Sequence, residues 1–320
     1  MIKRILGDVP TWAKRENPLL RYELTRRMDD SISIGRIILW VIGLSILIFG
    51  GYIFATEGLQ RGFQLPYTLD IWRMIIFPLF FVQLVMRVAG LSLGVGAVSD
   101  ERQRQTWDNL RATERGATIG VRSRWVSVFY RLKGLVLTTL LARLVLIGAI
   151  LYELTSMQGD YLNLLTARAL PSVSVEVGII LLSAFMTAFI IMPFTATGVD
   201  IAIGLLISTG VRNRAISALI QMLVILVRVV TSVGLFWFSW QLLNDNLTLD
   251  PNSALALIGS SAILADWGII LSQLSQAGQL WSQVPFLVYA GAFMLVWAIL
   301  QVAVTSGILK LAIRTAEVRE

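Results

Sequence analysis

Val98-Ser-Asp-Glu-Arg-Gln-Arg-Gln-Thr-Trp-Asp-Asn-Leu-Arg-Ala-Thr113 is a charged, helix-prone stretch between two long apolar runs, Ile71–Val98 and Gly134–Glu153. About 20 apolar residues cross a bilayer as a helix. The charged stretch is therefore a loop between spans, where a soluble partner can reach the chain. Ser99 is placed to cap a helix, with Asp100 and Glu101 in its first turn, where the helix dipole favours anions. Thr106, Trp107 and Leu110 fall on one side at helical spacing, while Arg102, Gln103 and Asp108 project elsewhere. The expectation is a short amphipathic helix parallel to the membrane. Periodicity alone also allows an ordinary solvated loop helix anchored by Trp107.

The rest of the composition agrees. Hydrophobic residues make up 56% of the 320 and charged residues 15%, with a mean hydropathy of +0.73. Soluble domains are about 25% charged. Spans and short connections consume nearly the whole length, so residues 1–320 form one membrane domain. Met1–Arg27 is basic and amphipathic, without the apolar core of a signal peptide. Cysteine and histidine are both absent. That excludes disulfides, thiolate metal sites, haem ligation and imidazole catalysis in this chain. No lysine follows a glycine, so the chain has no phosphate-binding loop of the Gly-Lys-Ser/Thr kind. Nucleotide energy, if used, comes from another polypeptide.

Further spans are expected at Ile34–Thr56, within Val175–Val211, at Ile216–Leu243 and at Pro285–Leu309. Lys and Arg set the orientation. Eight lie between Lys3 and Arg36 and eight between Arg102 and Lys133. Arg212, Arg214, Lys310, Arg314 and Arg319 follow at later connections, while none lies between Val229 and Leu309. Six spans with both termini cytoplasmic satisfy this asymmetry. Pro193 and Gly198 could divide Val175–Val211 into two short crossings, but a seventh span would reverse Arg212 and Arg214. One long helix kinked at Pro193 is expected instead, its freed carbonyl satisfied by a neighbouring helix or water.

Two other segments stand out. Asn17-Pro18 reads as an N-cap followed by proline in the first turn. The helix Pro18–Met28 then sets Leu19, Leu20 and Leu24 beside Arg21, Arg26 and Arg27, which suits a helix on an anionic leaflet. Ser253–Gln283 is too interrupted to cross and reads as a re-entrant or surface helical pair. The fold class is thus an all-α polytopic membrane protein with six transmembrane helices. An N-terminal interfacial region (1–33), a cytoplasmic loop (99–133) and an extracytoplasmic segment (244–284) complete it.

Asp100-Glu-Arg-Gln-Arg-Gln-Thr106, then Leu110, Thr113 and Arg124, resembles a signature of type-2 ABC exporter permeases. In that family a Glu-Arg-x-x-Gly-Thr segment leads through Leu and Thr-Pro-Leu to a basic residue entering the third span. Asn17-Pro-Leu-Leu-Arg-Tyr-Glu-Leu-Thr-Arg26 is similar to the opening of many such permeases, and Gly204–Ala215 to their fourth-to-fifth-span connection. Gln105 stands where the family has Gly, and Glu114 and Arg115 replace its Pro-Leu. The resemblance implies a half-size permease in the plasma (inner) membrane. It pairs with a second copy or homologue and exports a lipid or amphipathic substrate. A separate ABC ATPase subunit, carrying ATP and Mg, docks through Asp100, Glu101, Arg102, Arg104, Thr106, Trp107 and Leu110. No cofactor in this chain and no nucleic-acid partner are expected. The charged departures leave open a second reading, a non-transporting structural or assembly subunit that keeps the permease fold. An intramembrane enzyme is disfavoured, because no carboxylate pair is evident.

Arg87, Arg143, Asp200 and Arg228 lie inside otherwise apolar spans. A charge at that depth costs at least about 2.5–3.5 kcal/mol, so each should face protein or water. One expectation is structural: Asp200 pairs with Arg143 or Arg228, and Arg87 snorkels toward the inner leaflet. The other is a cationic layer that holds an anionic headgroup. Trp72, Trp240 and Trp281 are expected in an outer interface belt, with Trp12, Trp107 and Trp125 in an inner one. Arg122–Lys133 is expected to anchor on the inner leaflet.

Overall fold

The computed structural model describes the backbone of residues 10–14, 17–21, 24, 67–103, 116–156, 160–211, 213–243, 272 and 274–318. These residues are helical with connecting turns, and five of the helices are long and apolar enough to cross a bilayer. The chain is a multi-pass membrane protein. The expected first span, Ile34–Thr56, and residues 253–271 and 273 of the expected segment Ser253–Gln283 lie outside the described residues.

In chain order the helices are α1 (Tyr67–Gln103), α2 (Gly116–Arg131), α3 (Lys133–Ser156), α4 (Asp160–Arg168), α5 (Val175–Gly210), α6 (Arg214–Leu243), α7 (Leu274–Gln283) and α8 (Ala290–Val318). The spans are α1, α3, α5, α6 and α8. Val175–Gly210 forms one helix with Pro193 inside it, as the charge asymmetry requires. At 1.5 Å per residue its 36 residues reach roughly 54 Å, well beyond a hydrocarbon core of about 30 Å. α8 also outlasts the expected Leu309 boundary, because no helix breaker follows Lys310.

α5 is the axis of the bundle and packs most extensively against α8 and α1. Without water between helices, close approach depends on small residues. Gly94 of α1 and Gly204 of α5 supply it. A Cβ at Gly94 would lie 2.7 Å from the Ile201 carbonyl oxygen, and one at Gly204 would strike the Leu91 carbonyl oxygen. Backbone cannot give way as a flexible side chain does. Gly204→Ala is therefore expected to cost about 1–3 kcal/mol through overpacking. A lowered melting midpoint in detergent checks this, while Gly96→Ala, which meets open space, should leave the midpoint unchanged.

Two apolar clusters flank the middle of α5. One gathers Trp72, Ile76, Phe185, Phe189, Trp281 and Val288. The other, nearer the C-terminal ends of α5 and α8, gathers Met86, Val121, Ile201, Leu205 and Ile313. Between them α5 reads Thr195-Ala-Thr-Gly-Val-Asp200, a smaller and more polar section.

α2 was not anticipated as a helix. Its buried face is Gly116, Ala117, Gly120, Val121, Ser123, Arg124, Ser127 and Val128, at spacings of three and four. Arg124 is 3% exposed, so part of the basic run expected on the leaflet packs against protein. The expected N-cap is present: the Leu19 backbone N–H donates to Asn17 Oδ1 at 3.0 Å. Leu20 is fully buried, so this turn lies against protein on at least one side.

At the opposite end, α7 and the turn before α8 form a cover. Leu170 N–H donates to the Trp281 carbonyl at 2.9 Å, and Phe286 N–H donates to the Leu170 carbonyl at 2.6 Å. Phe286 adopts φ 64°, uncommon for a side-chain-bearing residue. This cover corrects the expected outer tryptophan belt. Trp72 is 1% exposed, with its indole N–H on Ser272 Oγ at 3.0 Å, and Trp281 is also buried. Span-end tryptophans become core when a connecting segment folds over them. Trp240 and Trp107 lie among residues whose side chains are not described.

Candidate functional site

The polar section of α5 places Asp200 where α1 and α6 converge. Arg87 of α1 donates through Nε to Asp200 Oδ2 at 2.6 Å, and Arg228 of α6 donates through Nη2 to Oδ1. Each carboxylate oxygen thus accepts from a different helix. The Asp200 side chain is 4% exposed, against 13% for Arg87 and 18% for Arg228. The anion is enclosed and the two cations hold its outer edge. With all three ionised the cluster carries one positive charge in excess.

The helical repeat explains this convergence. Met86 and Arg87 are adjacent on α1, so Met86 enters the apolar cluster while Arg87 turns toward α5 and α6. Asp200 and Ile201 divide the same way on α5. A second α1–α6 contact supports the junction, as Gln221 Nε2 donates to Ser92 Oγ at 3.0 Å. Beyond it α6 is largely unpacked among the described residues. Leu219, Met222, Leu226 and Val230 are all more than half exposed.

Arg143 does not join the cluster, and Arg87 is paired with protein instead of snorkelling. Arg143 of α3 is fully buried and lies against Phe189, about three helical turns along α5 from Asp200. Its Nη1 donates to the Phe189 carbonyl, and its guanidinium carbon sits 4.2 Å from the Phe189 ring centroid. Phe189 is the residue four before Pro193. In a regular helix residue 193 would donate its N–H to that carbonyl, and proline has none. Arg143 therefore fills the vacancy that Pro193 creates. The cation gains both a carbonyl dipole and a ring face in a desolvated setting.

The residues expected to couple to an ATPase are only partly described. Asp100, Glu101 and Arg102 lie on the last turn of α1, which continues unbroken through Ser99 to Gln103. Ser99 thus extends an existing helix instead of starting one, because no glycine or proline interrupts Ala97–Gln103. Arg104, Thr106, Trp107 and Leu110 lie outside the described residues.

A separate titratable pair joins the end of α3 to the start of α4. Burial beside α3, with the Glu153 carboxylate adding to it, pushes the Tyr161 hydroxyl up to about 12. Tyr161 thus stays neutral across the physiological range. Among the described residues no group of histidine, cysteine or carboxylate side chains is arranged to hold a metal.

Comparison with protein-family models, curated proteins and solved structures finds no match to this chain.

Proposed function

We propose that this chain is the membrane permease half of an ABC exporter in the plasma membrane. It has six spans, both termini are cytoplasmic, and it moves a lipid or amphipathic substrate. Two copies pair, and each docks a separate ATPase subunit that binds ATP and Mg. The sequence around Asp100–Thr113 carries the reading, and one structural observation supports it. α1 ends at Gln103 and α2 begins at Gly116, and both helices pack on the core. A displacement applied at those two helix ends would pass to α5 through packed helices. The exposed apolar face of α6 offers surface for a second copy.

The excess positive charge of Arg87, Asp200 and Arg228 suits attraction of an anionic headgroup, since guanidinium offers several planar donors. The structural-subunit reading keeps one specific support, the charged Glu114-Arg115 where the resembling family has Pro-Leu.

Purification in mild detergent from the native host, with identification of co-purifying chains, tests the proposal. A P-loop ATPase should accompany the wild-type chain. Glu101→Lys and Leu110→Asp should each abolish that association while the permease remains inserted. Reversing a contact charge, or burying an aspartate in an apolar cleft, opposes docking strongly. An ATPase that stays bound to both variants with unaltered turnover would overturn this docking. Absence of any ATPase from the wild-type complex would favour the structural subunit.

A further inference from the structure

We propose that a cavity between α2, α5, α8 and the N-terminal turn Thr11–Ala13 binds an anionic phospholipid. The phosphate sits at Arg122 and Lys310, and an acyl chain lies along Phe129, Phe194, Val302 and Leu309. The cavity measures about 470 Å³, within the roughly 300–1,000 Å³ typical of ligand sites. This inference does not depend on the exporter reading, because a lipid site of this kind is equally possible in a structural subunit.

Helical spacing builds the walls. Arg122, Trp125 and Phe129 fall at i, i+3 and i+7 on one face of α2. Val302, Ser306, Leu309 and Lys310 share a face of α8. The floor is Gly198, kept open by its missing side chain. A Cβ there would stand 3.2 Å from the Trp125 ring. Trp125 is pinned over that floor, since its indole N–H donates to the Gly198 carbonyl at 3.0 Å.

The chemistry of the walls is divided. On α8 the lining runs from Val302 to Lys310 at the basic end, and on α2 from Phe129 back to Arg122. Both charged lining residues are cations, and no acidic side chain is among the described residues that line the cavity. Arg122 is held by Trp12, its guanidinium carbon 5.8 Å from the indole centroid. Trp12 is fixed in turn, because its carbonyl accepts from Asn17 Nδ2 at 3.3 Å and from Ser123 Oγ at 3.5 Å. An apolar slot with cations at one end, lined by two membrane-spanning helices, matches a lipid with a negative head. Basic pockets between spans hold such headgroups. A zwitterionic lipid would bring its own quaternary cation beside Arg122 and Lys310, and a free phosphate would leave the slot unfilled.

The test uses purified full-length protein in mild detergent and phosphatidylglycerol with a photoactivatable acyl chain. Phosphatidylcholine with the same chain, and inorganic phosphate as a competitor, are the other arms. Phosphatidylglycerol should crosslink to peptides from 116–131 and 290–318 and bind at least about tenfold tighter than phosphatidylcholine. Combined Arg122→Gln and Lys310→Gln should weaken it about thirtyfold at an unchanged melting midpoint. Should that pair unfold the protein, Lys310→Gln alone and Val302→Trp, both at exposed positions, serve instead. The first should lower affinity and the second should block crosslinking. Equal binding of the two lipids, indifference to these variants, or full displacement by millimolar phosphate would each overturn the proposal.

Discussion

Asp200→Asn is expected to destabilise the protein by about 3–5 kcal/mol, the usual cost of removing one partner from a buried ion pair. The substitution keeps the size and removes the charge, leaving Arg87 and Arg228 facing one another across a neutral amide. The cluster is asymmetric, so its members should not be equivalent. Arg228→Gln leaves Arg87 paired one to one with Asp200 and removes the excess charge, and its stability cost should be small. Removing all three charges together should recover much of the Asp200→Asn loss, because no isolated ion then remains. Melting midpoints of the four proteins in one detergent decide the matter. Equal losses for Asp200→Asn and Arg228→Gln would reject the asymmetry. The same preparations separate structure from recruitment of an anion. If the excess charge attracts an anionic substrate, Arg228→Gln lowers substrate-stimulated ATP hydrolysis of the assembled complex while stability holds. Normal turnover per folded molecule would leave the cluster a purely structural device.

Much of the helical layout was legible because long apolar runs and the placement of arginine are strong signals. The span boundaries of α3 and α6 and the undivided α5 follow from them, and the cap follows from Asn17-Pro18. Partners were harder to read. Arg87, Arg143 and Arg228 look alike in sequence, each a lone cation in an apolar run. Only the rotation of each helix about its axis decides which one reaches Asp200. For α1 and α5 that rotation is constrained by Gly94 against Gly204, a contact between residues about 110 positions apart that no local pattern encodes. α2 was missed for a related reason. Its sequence mixes Arg122, Arg124 and Arg131 with glycine and serine, and it reads as a basic loop until α5 and α8 bury one side of it. The tryptophans misled because a belt assignment assumes that nothing covers the ends of the spans. Trp72 would fit such a belt if Ser272 and α7 were not folded above it.

The link between Arg143 and Pro193 was half visible, since the proline predicts an unpaired carbonyl but not which residue serves it. It gives the second large effect. Arg143→Met should cost about 3 kcal/mol, from a buried carbonyl left without a donor and a lost guanidinium–ring contact. Methionine keeps most of the stem, so lost volume is a minor part. Pro193→Ala returns an N–H to position 193, which can close the ordinary helical bond to the Phe189 carbonyl. In that background the carbonyl no longer depends on Arg143. The same Arg143→Met change should then cost about 1–2 kcal/mol less than in the wild-type chain. A double-mutant cycle on melting or denaturant stability measures the difference directly. Strict additivity would mean that Arg143 is held by the Phe189 ring and its packing alone. A positive coupling would mean that an arginine inside a span is there because a proline inside another span requires it. That is a structural reason for a buried cation that needs no substrate, and it separates Arg143 from the wetter pair around Asp200.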